Sequence, residues 1–134
     1  MVVAEVIVLE KRARWSPELQ RQFQKDNVVV RACRDGASLR ERIAVAQAAE
    51  NDCVAVLDPA GWPGDCLPVI AWLRSLEIRI VVVGYVGIEL LEPSLRELGA
   101  TTLLLPPVAG HEIGDACRRL LGPHSVQSRN TGSH

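Results

Sequence analysis

The sequence predicts an α/β fold, a three-layer sandwich in which a parallel five-stranded sheet in the order 2-1-3-4-5 lies between two layers of helices. Apolar runs and amphipathic stretches alternate five times along the 134 residues, as in a (βα)5 chain. The apolar runs are almost uninterrupted, which is typical of parallel strands that are covered on both faces. Right-handed crossovers between such strands favour the stated order.

The predicted strands are short apolar runs, most of which end at charged, glycine or proline residues. They span Val3–Leu9, Asn27–Ala32, Cys53–Leu57, Arg79–Val83 and Thr101–Leu105. Hydrophobic residues make up 48% of the chain, so a sizeable core can form, and the length suits one domain. We expect this domain to span residues 1–123 and a flexible polar tail to span 124–134.

Capping signals delimit the predicted helices. Ser16 and Pro17 indicate the N-cap and first position of a helix that runs to about Lys25. Pro93 begins a shorter fourth helix or kinks a longer one, and Gly99 is a stop signal. The second helix is predicted from Asp35 or Ser38 to Glu50, with Leu39, Ile43 and Ala46 inside. The third begins at Asp65, with Val69, Ile70 and Leu73 inside, and the fourth spans Ile88–Leu98. The fifth runs from Gly110 to Leu121, with Ile113, Cys117 and Leu120 inside.

Composition excludes several classes of function. The formal net charge is -1, so we predict no nucleic-acid binding, and no apolar stretch is long enough to span a membrane. Met1-Val2-Val3 leads directly into the first strand without a basic segment, so we expect no secretory signal and a cytoplasmic protein. None of the four cysteines lies in a C-x-x-C pair, and Cys53 and Cys117 fit positions in the core.

Sequence motifs of common enzymes are missing. No G-x-G-x-x-G segment, P-loop or G-x-S-x-G segment follows a strand. His111 and His124 have no serine or cysteine nucleophile nearby, so a hydrolase triad is poorly supported. We therefore predict that the chain is not an enzyme and has no cofactor.

Two carboxylates are expected at the carboxyl edge of the sheet. Glu10 ends the first strand and Asp58 ends the third, and these strands are neighbours in the predicted order. Together they offer oxygen ligands for Mg2+. Alternatively, Glu10 is solvated and Asp58 caps the turn into Pro59. Lys11 argues against a metal because its ammonium can neutralise Asp58 in place of the cation, so no metal site is predicted.

The region from residue 3 to about 121 resembles the receiver domain of bacterial response regulators, which has a flavodoxin-like fold. The most specific stretch is Leu98–Pro107, which is similar to the family's segment around the fifth strand. Val56-Leu57-Asp58 resembles the strand that ends in the phospho-accepting aspartate, and Asp65 matches an acidic residue before the third helix. The resemblance also implies a cis peptide bond between Pro106 and Pro107.

The chain departs from the family at its reactive centre. Lys11 replaces a second acid, Gly84 replaces a serine or threonine, Pro106 replaces a lysine and Leu103 replaces an aromatic switch residue. Family members use Mg2+, a lysine and a hydroxyl to hold the phosphoryl group on the aspartate. The resemblance therefore implies a degenerate site, that of a pseudo-receiver in which Asp58 is a phospho-acceptor position that need not be active.

Three functions follow from this comparison. The first is a phosphorylation-independent signalling module that binds another protein, or a second copy as a homodimer, through the fourth helix, fifth strand and fifth helix. The second is a phospho-receiver that accepts a phosphoryl group on Asp58 with Mg2+ from a histidine kinase, with Lys11 or Arg12 replacing the lysine. The third is a small-molecule binding domain with its ligand at the strand edge. Residues expected on the interaction face are Leu90, Leu91, Arg96, Thr102, His111, Glu112 and Arg119, although Leu90 and Leu91 also suit the core.

Overall fold

A computed structural model describes residues 3–60 and 66–121 of the chain. The strands are β1 (Ala4–Leu9), β2 (Val28–Cys33), β3 (Asp52–Leu57), β4 (Arg79–Val83) and β5 (Thr102–Leu104). The helices are α1 (Trp15–Gln22), α2 (Gly36–Ala48), α3 (Cys66–Ser75), α4 (Glu92–Leu98) and α5 (Gly110–Leu120), and a 3-10 turn covers Ile88–Leu90. The strands form one parallel sheet in the order β2-β1-β3-β4-β5, which confirms the predicted fold and topology.

Side chains that alternate along the strands divide the core into two halves. Ile7 and Leu9 of β1 lie on one side of the sheet with the apolar faces of α2, α3 and α4. Val6 and Val8 lie on the other side with α1 and α5. Because β1 and β3 are buried in the middle of the sheet, both of their faces are apolar apart from the buried Glu5 of β1. This explains the almost uninterrupted hydrophobic runs.

Several helix boundaries agree with the capping signals in the sequence. The Asp35 carboxylate accepts a hydrogen bond from the Ser38 backbone N–H at 2.8 Å, so Asp35 caps α2. This hydrogen bond lowers the pKa of Asp35. Pro93 is the second residue of α4, which confirms the shorter of the two predicted helices. Gly99 ends α4 with a φ of 116°, a left-handed conformation that favours glycine.

The start of α1 differs from the prediction. Ser16 is not the N-cap, because the helix begins at Trp15 and Ser16 is buried in its first turn. The helix also ends at Gln22, before Lys25. The carboxylate of Glu10, which follows β1, replaces the expected serine cap.

Smaller differences concern inward-facing residues. Val69 and Leu120 are half-buried, and Ala116 is buried on the inner face of α5 instead. The expectations for Asp65, for the tail and for His124 fall outside the described residues. Among the described helices, none is long and apolar enough to cross a membrane.

Candidate functional site

A pocket of about 260 Å³ lies at the carboxyl edge of the sheet. It is formed where β3, β4 and β5 end and where the loop after β1 leads into α1. The residues around it include Arg14, Trp15, Asp58, Gly84, Pro106 and Val108. The sequence-predicted positions Asp58, Gly84 and Pro106 are therefore brought together in one place.

Asp58 is half-buried and its carboxylate already accepts hydrogen bonds from the protein. Trp15 donates its indole Nε1–H to Oδ2 at 2.9 Å, and the Ala60 backbone N–H donates to Oδ1 at 3.2 Å. The second bond is the local side-chain-to-backbone contact of an Asx turn. The interpretation of Asp58 as a cap of the turn into Pro59 is thus confirmed.

Glu10 is buried, with 2% of its surface exposed, so the solvated alternative is wrong. Its Oε1 accepts hydrogen bonds from the backbone N–H groups of Arg14 at 3.1 Å and Trp15 at 3.0 Å. Its Oε2 accepts one from the Ser16 N–H at 2.9 Å. These groups lie at the start of α1, where the first N–H groups of a helix have no partner inside the helix. Glu10 therefore caps α1, and its negative charge is stabilised by the helix dipole.

Trp15 connects the two carboxylates. Its backbone N–H donates to Glu10 and its indole N–H donates to Asp58, and the side chain is 6% exposed. The guanidinium of Arg14 lies over the same indole, 4.1 Å from its ring centroid. Neither Trp15 nor Arg14 is among the site residues predicted from the sequence. The available signal was a tryptophan just before Ser16-Pro17 in a chain with only 4% aromatic residues.

Lys11 and Arg12 do not occupy the predicted position beside Asp58. Both are exposed, and neither forms an ion pair with any described residue. The expectation that Lys11 neutralises Asp58 directly is therefore wrong, whereas the replacement of the missing lysine by Lys11 or Arg12 at a phosphorylated Asp58 stays a prediction. The basic residue at the pocket is Arg14, which is held there by the indole of Trp15.

Gly84 and Pro106 themselves have no side-chain hydrogen-bond donor. The Gly84 N–H donates to the Leu104 carbonyl at 2.7 Å, which brings the two strands close together. A β-carbon at position 84 would clash with that carbonyl and would lie 3.2 Å from Cδ of Pro106. Position 84 therefore excludes a serine or threonine unless the backbone shifts. Leu103, at the aromatic position, is 8% exposed and packs in the core on the α2–α4 side.

Comparison with solved structures identifies the fold. The receiver domain of the TMAO respiratory system response regulator TorR is similar over 87% of this chain and 95% of its own, with a TM-score of 0.73 and 21% identity. The chemotaxis response regulator CheY4 of Vibrio cholerae matches 90% of this chain and 100% of its own, with a TM-score of 0.65 and 20% identity. A response regulator from Thermotoga maritima matches 89% and 98%, with a TM-score of 0.67 and 16% identity.

The chain has the receiver fold. The resemblance found in the sequence is thus confirmed at the level of the fold. The peptide bond between Pro106 and Pro107 is also cis, as that resemblance implied. No protein-family model and no curated protein matches the sequence.

On this receiver fold, the expected interaction face is formed by α4, β5 and α5. Leu90 is 85% exposed, so its interpretation as a core residue is wrong, whereas Leu91 packs partly buried against the core. Arg96 pairs with Glu92 at 3.0 Å along α4. Among the remaining members, His111 and Arg119 are exposed, and Thr102 and Glu112 are half-buried. Glu112 accepts a hydrogen bond from the Ala109 N–H and so caps α5.

The cysteines of the receiver fold lie in its core. All four are buried and free of disulfides, which confirms the expectation for Cys53 and Cys117. Burial raises the pKa of each of these two thiols to about 12. They therefore remain protonated at neutral pH and behave as small apolar side chains.

Proposed function

We propose that this chain is a cytoplasmic receiver-fold module that acts through protein–protein contacts and does not need phosphorylation. One observation carries the proposal. The two carboxylates expected to form a phosphorylation site, Glu10 and Asp58, already accept hydrogen bonds from the chain's own N–H groups. Both acids thus contribute to the structure of the β1–α1 and β3–α3 connections, and neither needs a bound ion for its stability.

The donor set fits Mg2+ poorly. Three backbone N–H groups occupy the Glu10 carboxylate, and Mg2+ prefers several oxygen ligands in an octahedral arrangement. Among residues 3–60 and 66–121, no group of three or more histidine, cysteine or acidic residues is close enough to hold a metal. The Glu10 carboxylate is thus already occupied by backbone donors and poorly suited to be a second metal ligand beside Asp58.

A phosphoryl group on Asp58 would also lack a side-chain donor at positions 84 and 106. Gly84 has no hydroxyl, and Pro106 has neither a positive charge nor an N–H. In the family these positions stabilise the charge of the phosphoryl group and couple it to a conformational change. Because both contacts are missing, a phosphoryl group on Asp58 would stabilise one conformation of the domain hardly more than another.

The partner is proposed to bind the face made by α4, β5 and α5. In this proposal, exposed Leu90, in the turn that leads into α4, is the apolar centre of the face, and the exposed polar side chains of Arg96, His111 and Arg119 form its rim. A combination of apolar centre and polar rim is typical of protein interfaces. The partner is another protein or a second copy of this chain.

Phosphorylation is tested by incubating the protein with acetyl phosphate and Mg2+ and measuring its intact mass. We expect no phosphoryl adduct in the wild type under conditions that modify a control receiver completely. The Asp58→Asn variant is the matched control for adducts elsewhere in the chain. An adduct that appears in the wild type and disappears in Asp58→Asn would overturn the proposal.

Self-association is tested separately by sedimentation over a range of protein concentrations. If a second copy is the partner, Leu90→Ser weakens dimerisation by at least about tenfold, since loss of a central apolar anchor costs about 1.4 kcal/mol or more. Val45→Ser is the matched control, because Val45 is 52% exposed on α2, away from the proposed face. A strictly monomeric wild type would leave a different protein as the partner.

The second candidate function is a working phospho-receiver at Asp58, with Mg2+ and a histidine kinase as partner. Arg14 favours it, because this guanidinium lies at the same pocket and carries a positive charge that can stabilise a phosphoryl oxygen. On this alternative, acetyl phosphate modifies Asp58, and Arg14→Gln slows the modification. The intact-mass experiment distinguishes the two functions directly.

A further inference from the structure

The pocket at the carboxyl edge contains two opposite charges that do not pair with each other. Arg14 and Asp58 both line it, yet no ion pair joins them within 4.0 Å. Trp15 explains the separation, because its ring face packs against the guanidinium and its indole N–H donates a hydrogen bond to the carboxylate. The indole therefore acts as a spacer between the charges.

Both charged groups keep unused hydrogen-bonding capacity. Each oxygen of Asp58 accepts one described hydrogen bond and has a second lone pair. The guanidinium of Arg14 offers five N–H donors, and none of them donates to a described residue. A guanidinium binds carboxylate groups well, and a carboxylate binds ammonium groups well.

The remaining wall of the pocket is mostly apolar. Val83, Val86, Pro107 and Val108 contribute to it together with the ring of Tyr85. Its volume of about 260 Å³ lies just below the range of about 300–1,000 Å³ that is usual for drug-sized ligands. Because a water molecule takes up roughly 30 Å³ in the liquid and a covalently bonded atom takes up less, the pocket has room for a molecule as large as leucine.

We propose that this pocket binds a free apolar α-amino acid. The ammonium group of the ligand donates to Asp58, its carboxylate accepts from Arg14, and its side chain packs against the valine and proline wall. A simple anion would be repelled by Asp58 and a simple cation by Arg14, whereas a zwitterion is attracted by both. The site is separate from the α4–β5–α5 face, so either proposal can fail without the other.

Titration calorimetry with the whole chain tests the pocket, using L-leucine, N-acetyl-L-leucine and L-leucinamide as probes. The acetylated probe lacks the ammonium charge and the amide lacks the carboxylate. We expect saturable binding of leucine and at least about tenfold weaker binding of both analogues, because each has lost one charge-assisted hydrogen bond. Absence of saturable leucine binding overturns the proposal, as does equal affinity for all three probes.

Two variants test whether Asp58 binds the ammonium group of leucine and Arg14 binds its carboxylate. Asp58→Asn should weaken leucine binding at least about tenfold and abolish the preference for leucine over N-acetyl-leucine. Arg14→Gln should likewise weaken leucine binding at least about tenfold and abolish the preference for leucine over leucinamide. Arg12→Gln is the matched control, because Arg12 is exposed on the same loop and does not line the pocket.

The fold of each variant is checked by circular dichroism, and the Trp15 indole N–H resonance provides a second readout. Leucine should shift this resonance in the wild type, since the indole contacts both charged residues. If Asp58→Asn and Arg14→Gln bind leucine as the wild type does, the ligand lies elsewhere and the assignment is wrong.

Discussion

Replacement of Glu10 by alanine should destabilise the protein strongly, although this residue was expected to be solvated or to bind a metal. The carboxylate accepts hydrogen bonds from the N–H groups of Arg14, Trp15 and Ser16, and two of these bonds are buried. Within the described part of the chain, no other side chain caps α1. In Glu10→Ala these donors therefore lose their partner, and water cannot reach them without disturbing the packing of Trp15.

The size of this effect follows from the number of bonds lost. Loss of an N-cap lowers the free energy of unfolding by about 0.5–2 kcal/mol, and a buried donor without a partner lowers it by about 1–3 kcal/mol. For Glu10→Ala we therefore expect the free energy of unfolding to fall by about 2–4 kcal/mol. This is a large part of the total stability of a small domain, which is about 5–15 kcal/mol. The midpoint of thermal unfolding should fall by roughly 6–15 °C.

Urea unfolding followed by circular dichroism measures the free energy of unfolding for Glu10→Ala and two comparison variants. Glu10→Gln keeps one acceptor oxygen and should lose about half as much stability. Glu41→Ala removes an exposed glutamate from the middle of α2 and should change stability by less than about 0.5 kcal/mol. A loss in Glu10→Ala no larger than in Glu41→Ala would refute the capping argument.

Three further predictions concern the pocket and the core. Trp15→Phe removes the hydrogen bond to Asp58 and should cost about 1 kcal/mol in urea unfolding, and an unchanged midpoint would contradict that bond. Gly84→Ala forces a β-carbon against the backbone of β5 and should cost about 1–3 kcal/mol, whereas Gly36→Ala, where a β-carbon meets nothing within 4 Å, should not destabilise α2. Between pH 9 and 12 the unfolded state ionises its cysteines while buried Cys117 stays protonated, so the free energy of unfolding should fall as the pH rises. Cys117→Ala should reduce this slope, and an identical slope in the variant would disprove the assignment.

The sheet could be predicted from the sequence because its signal is simple. Each strand is a short run of apolar residues, and a parallel sheet covered on both faces requires that pattern at every strand. Predicted strand ends differ from the observed ones by one residue in most cases, as for Asp52–Leu57 against Cys53–Leu57. The order of strands followed from handedness rules that do not depend on particular side chains.

The site was harder to predict because it depends on loops, which have no periodicity. The sequence marked Ser16 as the cap of α1, but a carboxylate six residues earlier occupies that position. Usual capping signals consider only side chains within about one turn of the helix start. Likewise, three basic residues follow β1, and only the conformation of the loop decides that Arg14 lies at the pocket while Lys11 and Arg12 point to solvent.

The two acids at the carboxyl edge have structural roles that do not depend on phosphorylation. Glu10 caps α1, and Asp58 satisfies the indole N–H of a tryptophan that is 6% exposed. Removing either would leave buried donors without partners, a cost that does not depend on phosphoryl chemistry. An aspartate at the end of β3 therefore does not by itself indicate phosphorylation on this fold. The groups that distinguish the two functions are those around it, and here they include an indole, a guanidinium, a glycine and a proline.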